Sequence, residues 1–420
     1  MKIGAVIRIT AMASIVAVLA ACSTTSSATP ANSGGKATAV LNYWLWQDNA
    51  TDQTWAALAT EFNAQSKTGK VKLQVIPLAQ YEDKMLNALA SGSGPDAARF
   101  KDEWLGQFVK AKAIAPLTKQ INAWPGKADV IPTLFASGQV AGDSAIYMLP
   151  NQYTTLYMYY RPSIFAAAGL PAPQTEADVL HAASVLKAKG KFAIDVRGGS
   201  GGQDQWAAWM LAGGAKFLNG TNVVIDNKTA LTVNQEYLDL AGKLGATPPG
   251  SITANFASVE NNFLNGTTAM FIHHVGSLAA VRAALKGDVK AIPMPGATAP
   301  GQGTLGTMSG NVVLAGSQQQ GLAWDWISWL DAHNQMLKLS TSPQGQLPVL
   351  TSVAKDKPFS TDPALKVAVA AESYATSWPG VVGTSTVVNK DWEPTIQSAF
   401  EGQTSNQRML TSIASDLTGH

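Results

Sequence analysis

The sequence has a single cysteine, Cys22, and little charge. One cysteine excludes a disulfide within the chain, so the folded body must be stabilised by its hydrophobic core. Charged residues make up 14% of the chain, the formal net charge is +2, and no basic run or stripe is present. We therefore expect neither nucleic-acid binding nor polybasic membrane binding. Apolar residues make up 46% of 420 residues, which is enough material for two domains.

The N-terminus has the features of a bacterial export signal. Lys2 and Arg8 form a positive first region, and the apolar stretch at residues 9–21 is too short to span a bilayer. Leu-Ala-Ala before Cys22 resembles a lipobox, in which the cysteine is lipidated and becomes the first mature residue. The alternative is an ordinary secretory signal with an incidental cysteine. We expect a signal peptide at residues 1–21, and a lipidated cysteine with a Ser/Thr/Gly-rich tether at 22–37.

The body alternates strand and helix patterns. Strands are predicted at 38–46, 71–76 and 95–100, each followed by a helical pattern, and later strands at 192–196, 268–272, 291–294 and 311–315. Helices are predicted at 176–189 and over the tail at 391–417, and the Gly/Pro/Thr-rich stretch at 295–310 is predicted to be a loop. Such alternation predicts parallel α/β sheets, which bind ligands beyond the carboxyl ends of their strands. Residues 147–170 are read as an apolar strand, a polar step and a second apolar strand, which is a pattern suited to a crossing between two lobes.

Several segments together resemble the extracellular solute-binding proteins of sugar importers, the maltose-binding-like group. They are TEFNAQSKTGKVKLQVI, EWLGQFVKAKAIAPL, LYMYYRPSIFAAAGL, FLNGTTAMFI, GLAWDWISWLDA and SPQGQLPV. The resemblance implies a two-lobed α/β fold, a periplasmic-binding-protein-like fold with a ligand cleft and three interlobe crossings. Lobe one is expected at 38–149 and 312–355, and lobe two at 150–311 and 356–420.

Two sets of residues are candidate ligand contacts. Sugar clefts need aromatic plates and planar hydrogen-bonding groups. The residues themselves suggest Trp46, Asp48, Trp206 and Trp378, although core packing or helix capping would also explain the first two. The resemblance adds Glu82, Lys101, Gln152, Tyr153, His274, Gly310 and Asn311. Glu82 and Lys101 could form a pair that holds a sugar hydroxyl, or could be two solvated surface charges.

These features predict a lipid-anchored component of an ABC importer that binds a di- or oligosaccharide by hinge closure. Its expected partners are the permease subunits with a cytoplasmic ATPase, and we expect a monomer without cofactor, metal or catalysis. A non-sugar solute such as a glycerophosphodiester remains an alternative, because Lys101 and His274 could bind phosphate. A secreted glycoside hydrolase is a second alternative, and it would need two carboxylates facing each other, for which Asp48 and Glu82 are the plausible pair.

Overall fold

The computed structural model describes residues 39–47, 49–343 and 345–419. The predicted signal peptide, Cys22, the tether and Asp48 lie outside these residues, so the expectations for them stay predictions. Within the described part of the chain, no helix combines the length and the apolar character needed to cross a membrane.

Strands and helices alternate along the described chain. The strands are β1 (Val40–Leu45), β2 (Lys70–Val75), β3 (Ala97–Lys101), β4 (Leu149–Thr155), β5 (Tyr157–Tyr160), β6 (Phe192–Ile194), β7 (Leu218–Asn219), β8 (Asn222–Val223), β9 (Thr268–His273), β10 (Lys290–Ile292), β11 (Thr304–Val313), β12 (Leu347–Pro348) and β13 (Ala375–Thr376). The α-helices are α1 (Thr54–Gln65), α2 (Leu78–Ala90), α3 (Leu105–Lys110), α4 (Thr118–Ala123), α5 (Pro162–Ala168), α6 (Glu176–Ala188), α7 (Gly202–Ala212), α8 (Lys228–Ala241), α9 (Phe256–Leu264), α10 (Leu278–Leu285), α11 (Gln320–Leu330), α12 (His333–Ser340), α13 (Thr351–Ala354), α14 (Pro363–Ala371), α15 (Thr384–Thr386), α16 (Trp392–Phe400) and α17 (Asn406–Thr418). This content confirms the predicted α/β class.

The strands form two main sheets. The first sheet has the order β12-β4-β11-β3-β1-β2, with β13 pairing the start of β11, and the second has the order β10-β5-β9-β6. In the first sheet β1 runs parallel to β2 and β3. In the second sheet β6 runs parallel to β9. The carboxyl ends of these parallel strands are therefore the places where ligand contacts are expected.

The polar step after Leu149 is part of a strand. Residues 151–155 belong to β4, and every residue of this strand is buried. Their backbone groups pair with β11, and Asn151 donates a 2.6 Å hydrogen bond to the Asp331 carboxylate. The polar side chains thus serve buried hydrogen bonds at the centre of the first sheet, where an unpaired polar group would be costly.

The Gly/Thr-rich stretch before residue 311 was predicted as a loop, and this is wrong. It forms most of the ten-residue strand β11, which pairs antiparallel with β3 and β4. A Cβ on Gly306 would lie 1.9 Å from the Tyr153 hydroxyl, and one on Gly310 would lie 2.4 Å from the Met148 side chain. Glycine is used here for close packing between strands, which a composition-based reading takes for a turn.

The helix predicted over residues 176–189 is confirmed as α6. Thr175 caps it by accepting a hydrogen bond from the Asp178 backbone N–H, and the Asp178 side chain accepts from the Thr175 backbone N–H in return. This capping box satisfies two backbone donors that the first helical turn leaves unpaired. The predicted C-terminal helix is broken instead into α16 and α17, because residues 401–405 form a turn between them.

Candidate functional site

The end of β3 places a charged group between two carboxylates. Lys101, the last residue of the strand, forms a 3.1 Å ion pair with Glu103 in the following 3-10 turn. The Lys101 side chain keeps 29% of its surface exposed, whereas that of Glu103 keeps 5%. Burial alone would lower the pKa of Lys101, but the carboxylates of Glu103 and Asp204 outweigh it and raise that pKa.

Helix α7, which follows β6 of the second sheet, contributes Asp204. The loop after β6 is rich in glycine, and Gly201 adopts a left-handed conformation with φ 80° as the cap of α7. Asp204 lies in the first turn of this helix, where the helix dipole favours a negative charge. Its Oδ1 accepts a 3.0 Å hydrogen bond from the indole N–H of Trp378. Burial and the nearby Glu103 raise the pKa of Asp204, so a group that follows β3 and a group that follows β6 act on one another here.

Asp102 is a second buried carboxylate at this point. It is 3% exposed, and its oxygens accept hydrogen bonds from the backbone N–H of Glu103 at 3.0 Å and of Met308 at 3.1 Å. Burial and the adjacent Glu103 charge raise the pKa of Asp102 to about 7, against the lowering effect of Met308, Ser377 and Lys101. This carboxyl therefore titrates near neutral pH.

Glu82 connects helix α2 to the C-terminal segment. Its carboxylate accepts hydrogen bonds from Gln107, from the Ser385 hydroxyl at 2.5 Å and from the Asn389 amide at 3.3 Å. Burial raises the pKa of Glu82, so it is not a solvated surface charge. The predicted pair with Lys101 takes another form, because the ion-pair partner of Lys101 is Glu103.

A groove is lined by Ser377 and Trp378, which form hydrogen bonds with Asp102 and Asp204. It has a volume of about 480 Å³, and Tyr153, Ser377 and Trp378 are part of its wall. The Trp378 ring packs against Phe217 with 4.9 Å between ring centroids. Ser377 shares a 2.8 Å hydrogen bond with the hydroxyl of Ser137. The predicted contacts Tyr153 and Trp378 thus both lie at a cavity wall, although each side chain is almost entirely buried.

Trp46 and Gln152 belong to the interior of the first sheet. Trp46 is 2% exposed, and the guanidinium of Arg99 lies over its ring at 4.1 Å. Tyr81 and Trp104 pack edge-on against the same ring. The amide oxygen of buried Gln152 accepts a 3.1 Å hydrogen bond from Arg99. We therefore reassign Trp46 and Gln152 from ligand contacts to core residues.

Three further predicted contacts are also internal. Trp206 is fully buried and donates a 2.7 Å hydrogen bond to the side chain of Asn234. Asn311 is fully buried and accepts a 2.5 Å hydrogen bond from the Tyr43 hydroxyl. Gly310 lies within the β3–β11 ladder, opposite Phe100. We reassign these three to the core as well, because all three residues are buried, although Nδ2 of Asn311 has no hydrogen-bond partner among the described residues.

The two adjacent histidines stack on each other at the end of β9. Their ring centroids are 4.0 Å apart, and Phe256 stacks on His273 at 4.6 Å. Burial lowers the pKa of His273 well below its usual value and that of His274 to about 4, so both rings are neutral at pH 7. His274 Nδ1 accepts the Gly276 backbone N–H, which leaves the proton on Nε2 as a hydrogen-bond donor.

Glu103, Asp204, Arg197 and Ser377 were not among the predicted site residues. Arg197 and Asp204 flank the Gly-rich loop after β6, and Glu103 follows β3 by two residues. The rule that ligands bind beyond the carboxyl ends of parallel strands would have found these three. No sequence signal points to Ser377, since it lies in an irregular segment whose position depends on tertiary packing.

The chain is similar in sequence to known binding proteins. The family model described as bacterial extracellular solute-binding protein matches residues 57–367, which is more than half of the chain. A putative binding protein of Brucella abortus (strain 2308) is 26% identical over 305 residues, covering 70% of this chain and 72% of that protein. A maltotriose-binding protein of Pyrococcus abyssi (strain GE5 / Orsay) is 22% identical over 329 residues, covering 74% and 67%.

Solved structures show the same fold. The sugar-binding protein MalE from Xanthomonas citri matches with a TM-score of 0.78 and 19% identity, over 91% of this chain and 97% of that one. A cyclic alpha-maltosyl-1,6-maltose binding protein from Arthrobacter globiformis matches with a TM-score of 0.76 and 20% identity, over 91% and 99%. These likenesses confirm the predicted two-lobed periplasmic-binding-protein fold.

Proposed function

Because the chain belongs to the bacterial extracellular solute-binding protein family, we propose that it is the substrate-binding component of an ABC importer for a di- or oligosaccharide. In this proposal it is anchored at the outer face of the cell membrane through lipidated Cys22 and delivers its ligand to the permease subunits. The observation that supports the proposal is that Asp204 of α7 interacts electrostatically with Lys101 at the end of β3 and accepts a hydrogen bond from Trp378.

The lobe division remains part of the proposal, with two adjustments. β4 pairs within the first sheet up to Thr155 and β5 pairs within the second, so we place the first crossing at Leu156. β10 lies in the second sheet and β11 in the first, so we place the second crossing between residues 293 and 303. The third crossing is proposed around residues 353–362, which include the predicted lobe boundary between 355 and 356.

The proposed site suits a hydroxylated ligand. Carboxylates of Glu82, Glu103 and Asp204 accept hydrogen bonds from sugar hydroxyls, whereas the Lys101 ammonium and the His274 Nε2–H donate to their oxygens. The Trp378 ring offers an apolar surface to sugar C–H groups. The same carboxylates disfavour a phosphodiester, because its negative charge would be repelled at short range.

Closure follows from contacts made by both lobes. A ligand that touches Lys101 and Asp204 together binds the closed arrangement more tightly than an open one, and it shifts the population by that difference in affinity. The hydrogen bonds from Ser385 and Asn389 to Glu82 add protein contacts of the same kind. The importer would then recognise the closed form.

Calorimetric titration with mono-, di- and oligosaccharides tests the proposal, using the full chain with Cys22→Ala. The further change Trp378→Ala is expected to weaken binding of the saccharide found by about 1–3 kcal/mol, as for other aromatic stacking surfaces. Trp378→Phe should retain more affinity, because it keeps an apolar ring and loses only the hydrogen bond to Asp204.

Trp324→Ala is the matched control, since this partly buried tryptophan packs against Trp124 at 6.1 Å and belongs to a different hydrophobic cluster from Trp378. It should leave saccharide affinity unchanged, and thermal unfolding of each variant verifies that the fold is retained. Failure of every saccharide to bind the parent chain would defeat the proposed function. Equal affinity of the parent and Trp378→Ala would remove Trp378 from the site.

A further inference from the structure

Acidic groups outnumber basic groups around the candidate site. The negative charge of Glu103 raises the pKa of three nearby carboxyl groups, those of Asp102, Asp204 and Glu82. The cationic side chains that act on this group are those of Lys101 and Arg197. Four carboxyl groups therefore face two cations, and even with Asp102 partly protonated at pH 7 the negative groups outnumber the positive ones.

The two cations are already engaged within the protein. Lys101 is paired with Glu103 at 3.1 Å. Arg197 donates to the backbone carbonyl of Ser200, and its guanidinium lies over the Phe256 ring at 5.6 Å. Asp204 receives the Trp378 indole N–H on Oδ1, and its Oδ2 takes part in no hydrogen bond among the described residues. Asp204 thus retains an acceptor oxygen for a ligand.

Glu372 is an independent sign of missing positive charge. It is 2% exposed, and within residues 39–47, 49–343 and 345–419 neither of its carboxylate oxygens has a hydrogen-bond partner. The Glu372 charge raises the pKa of Tyr153, and the Glu372 backbone carbonyl accepts a hydrogen bond from Thr133. Tyr153 and Thr133 both line the groove of about 480 Å³. A buried carboxylate without a partner is costly in its ionised form, so a cation in this groove would relieve that cost.

We propose that the ligand is a saccharide with free amino groups, whose ammonium groups are held by the carboxylates of Asp204 and Glu103, with Glu372 favouring a positive charge in the adjoining groove. This inference rests on the proposed function and narrows its substrate class. An ammonium group offers three hydrogen-bond donors, and its bonds to ionised carboxylates are stronger than those of a neutral hydroxyl. N-acetylation removes this charge and leaves the rest of the sugar ring unchanged.

Matched pairs of saccharides test the charge preference. The probes are glucosamine oligosaccharides of two to four units and their N-acetylated counterparts, together with neutral glucose oligosaccharides of the same lengths. In calorimetry at pH 7 the free-amine member of a pair should bind at least tenfold more tightly than its N-acetylated counterpart. Because an ammonium group would lower the pKa of Asp102, binding should also release protons, seen as a dependence of the heat on the ionisation enthalpy of the buffer.

The variant Asp204→Asn keeps an acceptor for the Trp378 indole N–H and removes one negative charge. It should reduce the ratio of amine to N-acetyl affinity at least fivefold. Asp239→Asn, on the surface of α8 where Gln235 donates to the carboxylate, is the control and should leave that ratio unchanged. An unchanged ratio in Asp204→Asn would overturn the assignment of Asp204.

The outcomes separate this inference from the proposed function. Equal or weaker binding of the amine members, with clear binding of N-acetylated or neutral saccharides, would overturn the charge preference and leave saccharide binding in place. Absence of binding by every saccharide, charged or neutral, would overturn the proposed function and the inference together.

Discussion

Asp102→Asn should change the free energy of unfolding more favourably at pH 8 than at pH 4. The two changes should differ by about 4 kcal/mol. The physical reason is the burial of Asp102 next to Glu103, which raises its pKa from 3.8 to about 7 in the folded protein. One pKa unit corresponds to about 1.4 kcal/mol, so a shift of this size gives the stated magnitude.

The direction follows from proton uptake. Between the two pKa values the folded protein holds a proton on Asp102 that the unfolded chain has lost, so the free energy of unfolding falls as pH rises through this range. Asparagine cannot ionise and removes the slope. Any pH-independent change in the hydrogen bonds from Met308 and Glu103 cancels when the effects at the two pH values are compared. Urea denaturation of both proteins from pH 4 to pH 8 measures the difference.

Asp143→Asn is a control, because its effect on stability above the unfolded pKa should have the opposite sign to that of Asp102→Asn. The Ala145 N–H and the Tyr147 hydroxyl lower the pKa of this exposed carboxyl, so its ionised form favours the folded state. Its replacement should reduce stability above the unfolded pKa. The effect should disappear as pH falls through the lowered pKa of the folded protein. A pH-independent effect of Asp102→Asn would contradict the assignment of Asp102 as a carboxyl that titrates near neutrality.

Trp46→Ala should reduce the free energy of unfolding by about 3–5 kcal/mol, as expected for removal of a fully buried tryptophan. Trp46 lies under Arg99 and against Tyr81 and Trp104, so its removal would leave a cavity at the end of β1. Urea denaturation measures the loss, and Trp324→Ala, which removes a partly exposed ring, should cost clearly less.

Ligand affinity distinguishes the core assignment of Trp46 from a contact role. Below the denaturation midpoint, folded Trp46→Ala should keep saccharide affinity within about threefold, a change of less than 1 kcal/mol. A variant of unchanged stability with affinity lowered more than tenfold would instead restore Trp46 to the binding surface.

The carboxylates at the candidate site lower stability in the ligand-free protein. Asp102, Asp204 and Glu372 all have raised pKa values because burial opposes their charge. A sequence selected for stability alone would replace such groups with neutral ones, and sites that bind ligands commonly retain them at a cost to folding. A bound cation would recover part of that cost, which agrees with the proposed charge preference.

Local patterns predicted the elements that depend on neighbouring residues. The capping box at Thr175 and Asp178 is formed by residues three positions apart, so it can be recognised without knowledge of the rest of the fold. The strand β11 was missed because its glycines are explained by contacts with Tyr153 and Met148, which are more than 150 positions away in the chain.

The predicted ligand contacts stay predictions, and the structure shows where their residues lie. Lys101, Glu82, Tyr153, His274 and Trp378 lie in or beside the groups that the structure brings together, and their ligand contacts stay proposals. Trp46, Trp206 and Asn311 share the residue types of sugar-binding contacts, but their neighbours enclose them. Residue type alone does not distinguish a tryptophan that packs in the core from one that borders a cleft, because both bury a large apolar ring.

By itself the sequence determined the α/β class and the resemblance to solute-binding proteins, since these depend on composition, periodicity and the order of motifs along the chain. The export signal stays a prediction. Only the tertiary structure decided which charges meet. Lys101 and Glu103 lie at the end of β3, whereas Asp204 lies in α7, and the raised pKa values of Lys101 and Asp204 depend on charges that the fold brings together. Electrostatic interaction depends on separation in space and on the surrounding medium, and neither is recorded in local sequence.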